Sequence, residues 1–282
     1  MTAVVEPTRP EERGLRRYGL NLSLLLCIAV MAVVILCAIF RSSISPDSPF
    51  TQRLDVGDKP PSAEFVAGTD LLGRDVLSRV IHGARTALVG PIVVAAGAFA
   101  IATLLGLLAG YLGGWVDTVI MRWVDFMLAL PGVLVAIVVV GVVGGGYWTA
   151  VLVLAVQFTA PDTRIVRSAV LEQRPLPYID AARALGISKR RILFIHILPN
   201  ILPLVLAYVA LDFAFALVNL AGLSFLGLGV EPGTPDWGRM LFENRNILFS
   251  NPVGLLLPAG MIILTAVSMN LIGDWLFERL TK

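Results

Sequence analysis

Three lysines, Lys59, Lys189 and Lys282, are all that the chain offers for gripping the phosphates of a nucleotide, and none follows a glycine as a phosphate-binding loop requires. Other chemistry is just as thinly provided. The two histidines, His82 and His196, would need a partner's ligands to make a multi-His metal site, and neither a His/Cys/Asp cluster nor a Ser/His/Asp set is visible. Cys27 and Cys37 share one apolar run and would stand about 15 Å apart along a helix, too far for a mutual disulfide. They read as small apolar side chains in packing or lipid. The expectation is a chain with no catalytic residue, no metal and no cofactor of its own.

The elements that carry these residues explain the scarcity. With 57% hydrophobic and 15% charged residues and a mean hydropathy of +0.82, the chain exceeds what a soluble core needs and reads as an integral membrane protein. A net charge of +2 gives no reason to expect nucleic acid. Roughly 20 apolar residues cross a bilayer as a helix. On that measure residues 18–40 and 86–116 form two spans, and 126–161 form a hairpin of two more, turned at Gly144-Gly145-Gly146. Residues 192–230, interrupted by Asp212, form a fifth span, and 246–273 a sixth. The expected fold is all-α and polytopic, with six transmembrane helices. The division is a tail over 1–17, a first helix over 18–40, a loop over 41–85 ending in an amphipathic lead-in, and a five-helix core over 86–282. The first apolar run is longer than a signal-peptide core and is expected to stay. With both termini inside, 14 Lys and Arg fall on the cytoplasmic side against 8 outside, which sets the expected orientation.

One stretch breaks the apolar pattern. Pro175-Leu176-Pro177 ends whatever precedes it, and a short helix is predicted from about Tyr178 to Leu185, with Ile179, Ala182 and Leu185 on one face. Ala181 and Ala182 are small enough to let another surface approach. Gly186 stands where a left-handed C-terminal cap is needed, and Ser188 is placed to cap the next helix, which begins Lys189-Arg190-Arg191 and meets Pro199 and Pro203. An ordinary basic cytoplasmic loop would also satisfy the charge rule; the residues themselves favour more.

Asp180-Ala181-Ala182, then Gly186, then Ile197-Leu198-Pro199 resembles the EAA signature of ABC importer permeases, with Asp180 in place of the usual Glu. The resemblance continues through Gly68-Thr69-Asp70, Gly73-Arg74-Asp75, Gly110 to Trp115, His196 to Asn200, Leu223 to Gly229 and Trp237-Gly238. These motifs are similar to the C-type permease of dipeptide, oligopeptide and nickel importers; Gly233, Asp236 and the ending Glu278 to Lys282 depart from it. The resemblance implies the type I importer permease fold in a bacterial inner membrane. It makes about 178–186 a coupling helix, with Tyr178, Asp180, Ala181, Ala182, Leu185, Gly186 and Ser188 meeting an ATP-binding subunit. The implied partners are a second homologous permease in a heterodimer, two ATP-binding subunits that hold Mg-ATP, and an extracytoplasmic binding protein. Peptide is the implied cargo, with a nickel complex or another small solute as the alternative.

The remaining charges leave alternatives open. Asp212 could line the translocation path and meet a substrate ammonium, or bond to a polar group on a neighbouring helix. Arg122 and Asp125 are expected to pair, as are Asp70 and Arg74, the latter in solvent. Asp117 and Asp162 are expected at wet span ends. Gly97, Gly106 and Gly110, with Ala100 and Ala109, suit close helix packing. The rival classes are an ATP-independent carrier, which often shows two similar halves and several intramembrane charges where this sequence has no clear repeat and mainly Asp212, and a membrane scaffold, which would not need the ordered helix, glycine and helix.

Overall fold

The structure, a computed structural model, describes residues 22–280, so the expected tail over 1–17 and the first residues of the first span lie outside the described residues. The elements are α1 (Leu22–Ile44), α2 (Val76–Leu112), α3 (Gly114–Ala129), α4 (Gly132–Val143), α5 (Tyr147–Gln173), α6 (Pro177–Ala184), α7 (Lys189–Arg191), a π-helical turn (Ile192–Ile197), α8 (Leu198–Phe225), α9 (Trp237–Asn244) and α10 (Pro252–Leu280), with a short 3-10 turn (Arg245–Ile247) before the last. Among the described residues, five helices are long and apolar enough to cross a membrane, or six if the pair α3 and α4, bent by 86°, counts as one span.

The spans differ from expectation in instructive ways. α2 begins at Val76 because Asp75 caps it, accepting from the Ser78 amide at 2.8 Å, and the lead-in and second span are one continuous helix of 37 residues. At about 1.5 Å per residue this helix is about 55 Å long, so its two ends define opposite ends of the bundle. The stripe Val76, Val80, Ala84 and Ala87 is buried as the pattern requires. Gly113 and Gly114, both at positive φ, then break the chain, and the third span starts earlier than its hydropathy suggests. The charges of α3 had hidden it. Asp117 pairs with Arg167 of α5, and Asp125 pairs with Arg164 of α5 at 2.6 Å, so Asp125 takes a partner other than the expected Arg122. The hairpin turn at Gly144 to Gly146 is as expected, with φ of 107°, 75° and 108°.

α5 runs on to Gln173, so Asp162 lies inside a membrane-length helix and is 7% exposed, not at a wet span end. α2 and α5 pack most closely where α2 has no side chain: a Cβ added at Gly106 would lie 2.6 Å from the Val166 Cβ, and one at Gly110 2.8 Å from the Val170 Cβ. Three apolar clusters result. One joins α1, α2, α8, α9 and α10 around Trp237 and Met240; a second joins α2, α4, α5 and α8 around Leu154; the third joins α2, α5, α6 and α8 around Ile179.

Candidate functional site

α6 stands at the end of the bundle where α2 and α5 finish and α8 begins. Pro177 is its first residue, Leu176 before it is extended, and Asp180 in its first turn pairs with Arg183 at 3.0 Å. Its C-terminus closes as the sequence pattern demands. The Gly186 amide donates to the Arg183 carbonyl at 3.0 Å and the Ile187 amide to the Ala182 carbonyl at 3.1 Å, with Gly186 at φ +72°. Those two bonds are a Schellman motif, which needs the left-handed residue that glycine supplies. The Ser188 hydroxyl then accepts from the Arg191 amide at 3.4 Å and starts the next helix.

The buried face of α6 is small. Ile179 is 0% and Ala182 4% exposed, and they enter a cluster with Leu107 and Tyr111 of α2, Val166 and Val170 of α5, and Ile192 and Ile197 of the π turn. Leu185, expected on that face, is 79% exposed because it is the capping residue where the helix has already begun to unwind. Polar links reinforce the clamp. The Tyr178 hydroxyl donates to Gln173 Oε1 on α5 at 2.7 Å and accepts from Asn200 Nδ2 on α8 at 3.2 Å, and the Arg183 guanidinium lies 5.5 Å from the centre of the Tyr111 ring. The outer face, with Asp180, Ala181, Ala184 and Leu185, is bare.

A turn later the chain leaves α-helical winding. In the π turn the Leu198 amide reaches back five residues to the Leu193 carbonyl, just before Pro199 and Pro203, which lack the amides that would continue a regular ladder. The joint between α6 and α8 is thus a wound but irregular segment. Gln173, Asn200, Tyr111 and Arg183 were not singled out as contacts from the sequence, since their partners are set by how three helices converge.

At the α9 end a second polar constellation replaces the expected solvated pair. Asp70 and Arg74 do pair, at 2.7 Å, but they are 2% and 4% exposed, and Arg79 and Glu243 join them. Arg74 reaches Glu243 at 2.7 Å and Arg79 reaches it at 2.9 Å, while Arg79 also donates to the carbonyls of Pro49 and Gly233. Burial alone would raise the Glu243 carboxyl, yet Arg79 and Arg74 hold it below the usual glutamate value. The two loop residues that depart from the familiar pattern are structural. Gly233 meets both Arg79 and Glu243, and Asp236 caps α9 by accepting from the Arg239 amide at 3.0 Å. Burial raises the Asp236 carboxyl above the usual range. Trp237 donates to the Val80 carbonyl at 2.9 Å and seats α9 on α2.

Asp212 is 8% exposed and lines one small cavity together with Asp162 of α5.

Such an assembly of membrane-length helices, with a short capped helix at one end, defines a polytopic membrane protein. The model of the family described as binding-protein-dependent transport system inner membrane component matches residues 102–282. A dipeptide transport system permease protein, DppC, of Alkalihalophilus pseudofirmus is 36% identical over 98% of this chain and 90% of its own length. A di/tripeptide permease of Pseudomonas aeruginosa is 37% identical over 89% and 84%, and a glutathione permease, GsiD, of Pectobacterium atrosepticum is 39% identical over 81% and 75%. Among solved structures, an inward-facing form of the MetNI methionine ABC transporter superposes with a TM-score of 0.60 at 18% identity, over 72% of this chain and 97% of that one. The chain therefore belongs to the family of inner membrane components of binding-protein-dependent transport systems.

Proposed function

We propose that this chain forms half of a peptide translocation pathway, paired with a second homologous permease as a heterodimer and driven by two ATP-binding subunits that hold Mg-ATP. α6 is the coupling helix, the α6 end faces the cytoplasm together with both termini, and a binding protein delivers cargo at the α9 end. The observation that carries this reading is the division of α6 into a face clamped to α2, α5 and α8 and a face left bare. A helix fixed on one side to three membrane helices transmits to all three whatever pushes on the other. Closure of the ATP-binding subunits would draw the coupling helices together and open the bundle outward; hydrolysis would return it. Short peptides are the cargo because relatives that match over most of their length are named for dipeptides, di/tripeptides and glutathione.

The test is uptake by proteoliposomes carrying the chain with its second permease, ATP-binding subunits and binding protein. Radiolabelled dipeptide should accumulate only when ATP is supplied to the α6 side. Accumulation without ATP would make the chain part of a secondary carrier, and uptake of nickel complexes in place of peptide would overturn the cargo.

A further inference from the structure

α8 and α10 pack tightly at Gly273, where an added Cβ would lie 2.4 Å from the Ala210 Cβ. Beside that contact the two helices leave a cavity of about 400 Å³, within the roughly 300–1,000 Å³ usual for a small-molecule site. It lies toward the α6 end, since Leu204 on its wall is only about 9 Å along α8 from Leu198. Its polar wall is Tyr208 of α8 with Asn270 and Asp274 of α10. The rest is apolar, from Leu204, Ala207 and Leu211 on one stripe of α8 and from Phe277, one turn beyond Asp274. The Asn270 side-chain oxygen is buried without a hydrogen-bond partner, and the Tyr208 and Asp274 side chains make no hydrogen bond or ion pair among the described residues. No Lys, Arg or His among the described residues lines the cavity.

Acceptors left without donors around a cavity cost free energy until a ligand supplies the donors. A carboxylate, an amide oxygen and a phenol oxygen give three acceptor groups, the number a primary ammonium asks for with its three N–H donors. A hard metal ion asks for six or more oxygens, which this wall lacks, and an anion would meet Asp274 with no cation to receive it. We propose that this cavity binds the amino terminus of a peptide in transit, with the ammonium against Asp274, Tyr208 and Asn270 and the first side chain against Leu204, Leu211 and Phe277. The proposal rests on peptide being the cargo. The headgroup of an aminophospholipid offers the same ammonium, and the test separates the two sources.

Saturation-transfer NMR on the assembled permeases and ATP-binding subunits, in nanodiscs of phosphatidylcholine and without binding protein or ATP, tests it. The probes are alanyl-alanine and N-acetyl-alanyl-alanine. The free dipeptide should receive saturation from the wild type, and its acetylated form should not. Asp274→Asn should weaken binding by about tenfold or more, the usual worth of a hydrogen bond to a charged group. Ala207→Leu, which fills the cavity and leaves its polar groups in place, should weaken it too, whereas Glu278→Gln, four residues beyond Asp274 and off the wall, should not. Equal binding of the two probes, or wild-type affinity in Asp274→Asn, refutes the site. Binding that vanishes when phosphatidylethanolamine replaces phosphatidylcholine gives the cavity to the lipid headgroup and overturns a peptide occupant. ATP-driven uptake by the complete importer checks the cargo separately. Uptake of alanyl-alanine with no binding at the cavity overturns this site alone, while absent uptake removes the peptide reading and the site with it.

Discussion

Arg79→Met is expected to remove most folded protein from the membrane, and to do so far from α6. The Arg79 side chain is 1% exposed, and its loss strands two backbone carbonyls and takes a counter-charge from Glu243 and Asp70. Breaking a buried charge group by deleting one member typically costs about 3–5 kcal/mol, a large share of a domain's stability. Arg53→Ala is the matched control. Its pair with Asp47 leaves both side chains about a third exposed, at 34% and 29%, where the usual worth is roughly 0–1 kcal/mol. Yield of monodisperse complex and its melting temperature should separate the two; equal losses would show that the cluster is no more important than a surface pair. Glu243 adds a pH signature. Because its folded value is held down, the stabilisation is present above the ordinary glutamate value and fades as pH falls through the folded one. The wild type should therefore lose stability on acidification in a way that Glu243→Gln does not.

Gly186→Val should leave the complex folded and cut ATP-driven uptake by about tenfold. Nothing lies within 4 Å of a Cβ built at Gly186, so the substitution meets no clash; the obstacle is its φ of +72°. A left-handed residue other than glycine costs about 1–2 kcal/mol, more for a β-branched one, and the chain escapes by unwinding the Schellman motif. α6 then loses its fixed angle to the π turn, and the fraction of complexes aligned for docking falls by about tenfold for each 1.4 kcal/mol. Gly222→Ala controls for the loss of a glycine as such, since that residue also has open space but a negative φ. It should transport normally. Normal uptake by Gly186→Val would remove the turn from the coupling mechanism.

What the sequence discloses and what it hides divide along physical lines. Gly186 and Ser188 were legible because caps are local: the residue types and their offsets from a helix end carry the whole signal. The glycine turn at 144–146 was legible for the same reason. The start of α3 was not, because hydropathy counts Asp117, Arg122 and Asp125 as the edge of a span. Two of those charges are neutralised by Arg167 and Arg164, 50 and 39 residues away in sequence. The same blindness turned the Asp70–Arg74 pair into a surface feature. Spacing of four residues announced the pair, but Glu243, 164 residues beyond Arg79, is what buries it. Asp162 was misplaced by the assumption that a charge ends a span, and only the meeting of α5 with α8 shows it lining an internal cavity with Asp212. Within the candidate site, the identity of α6 and its capping residues came from pattern, while the face it presents depended on where Leu185 falls as the helix unwinds.

The most direct test of the coupling role is a cysteine cross-link between α6 and an ATP-binding subunit. With Cys27 and Cys37 replaced by alanine, a cysteine at Leu185, 79% exposed, should join a cysteine scanned through the helical surface of the ATP-binding subunit, and the yield should change when ATP is added. A cysteine at Phe249, 98% exposed in the turn between α9 and α10, should give no such product. A cross-link at Phe249 with none at Leu185 would contradict the account.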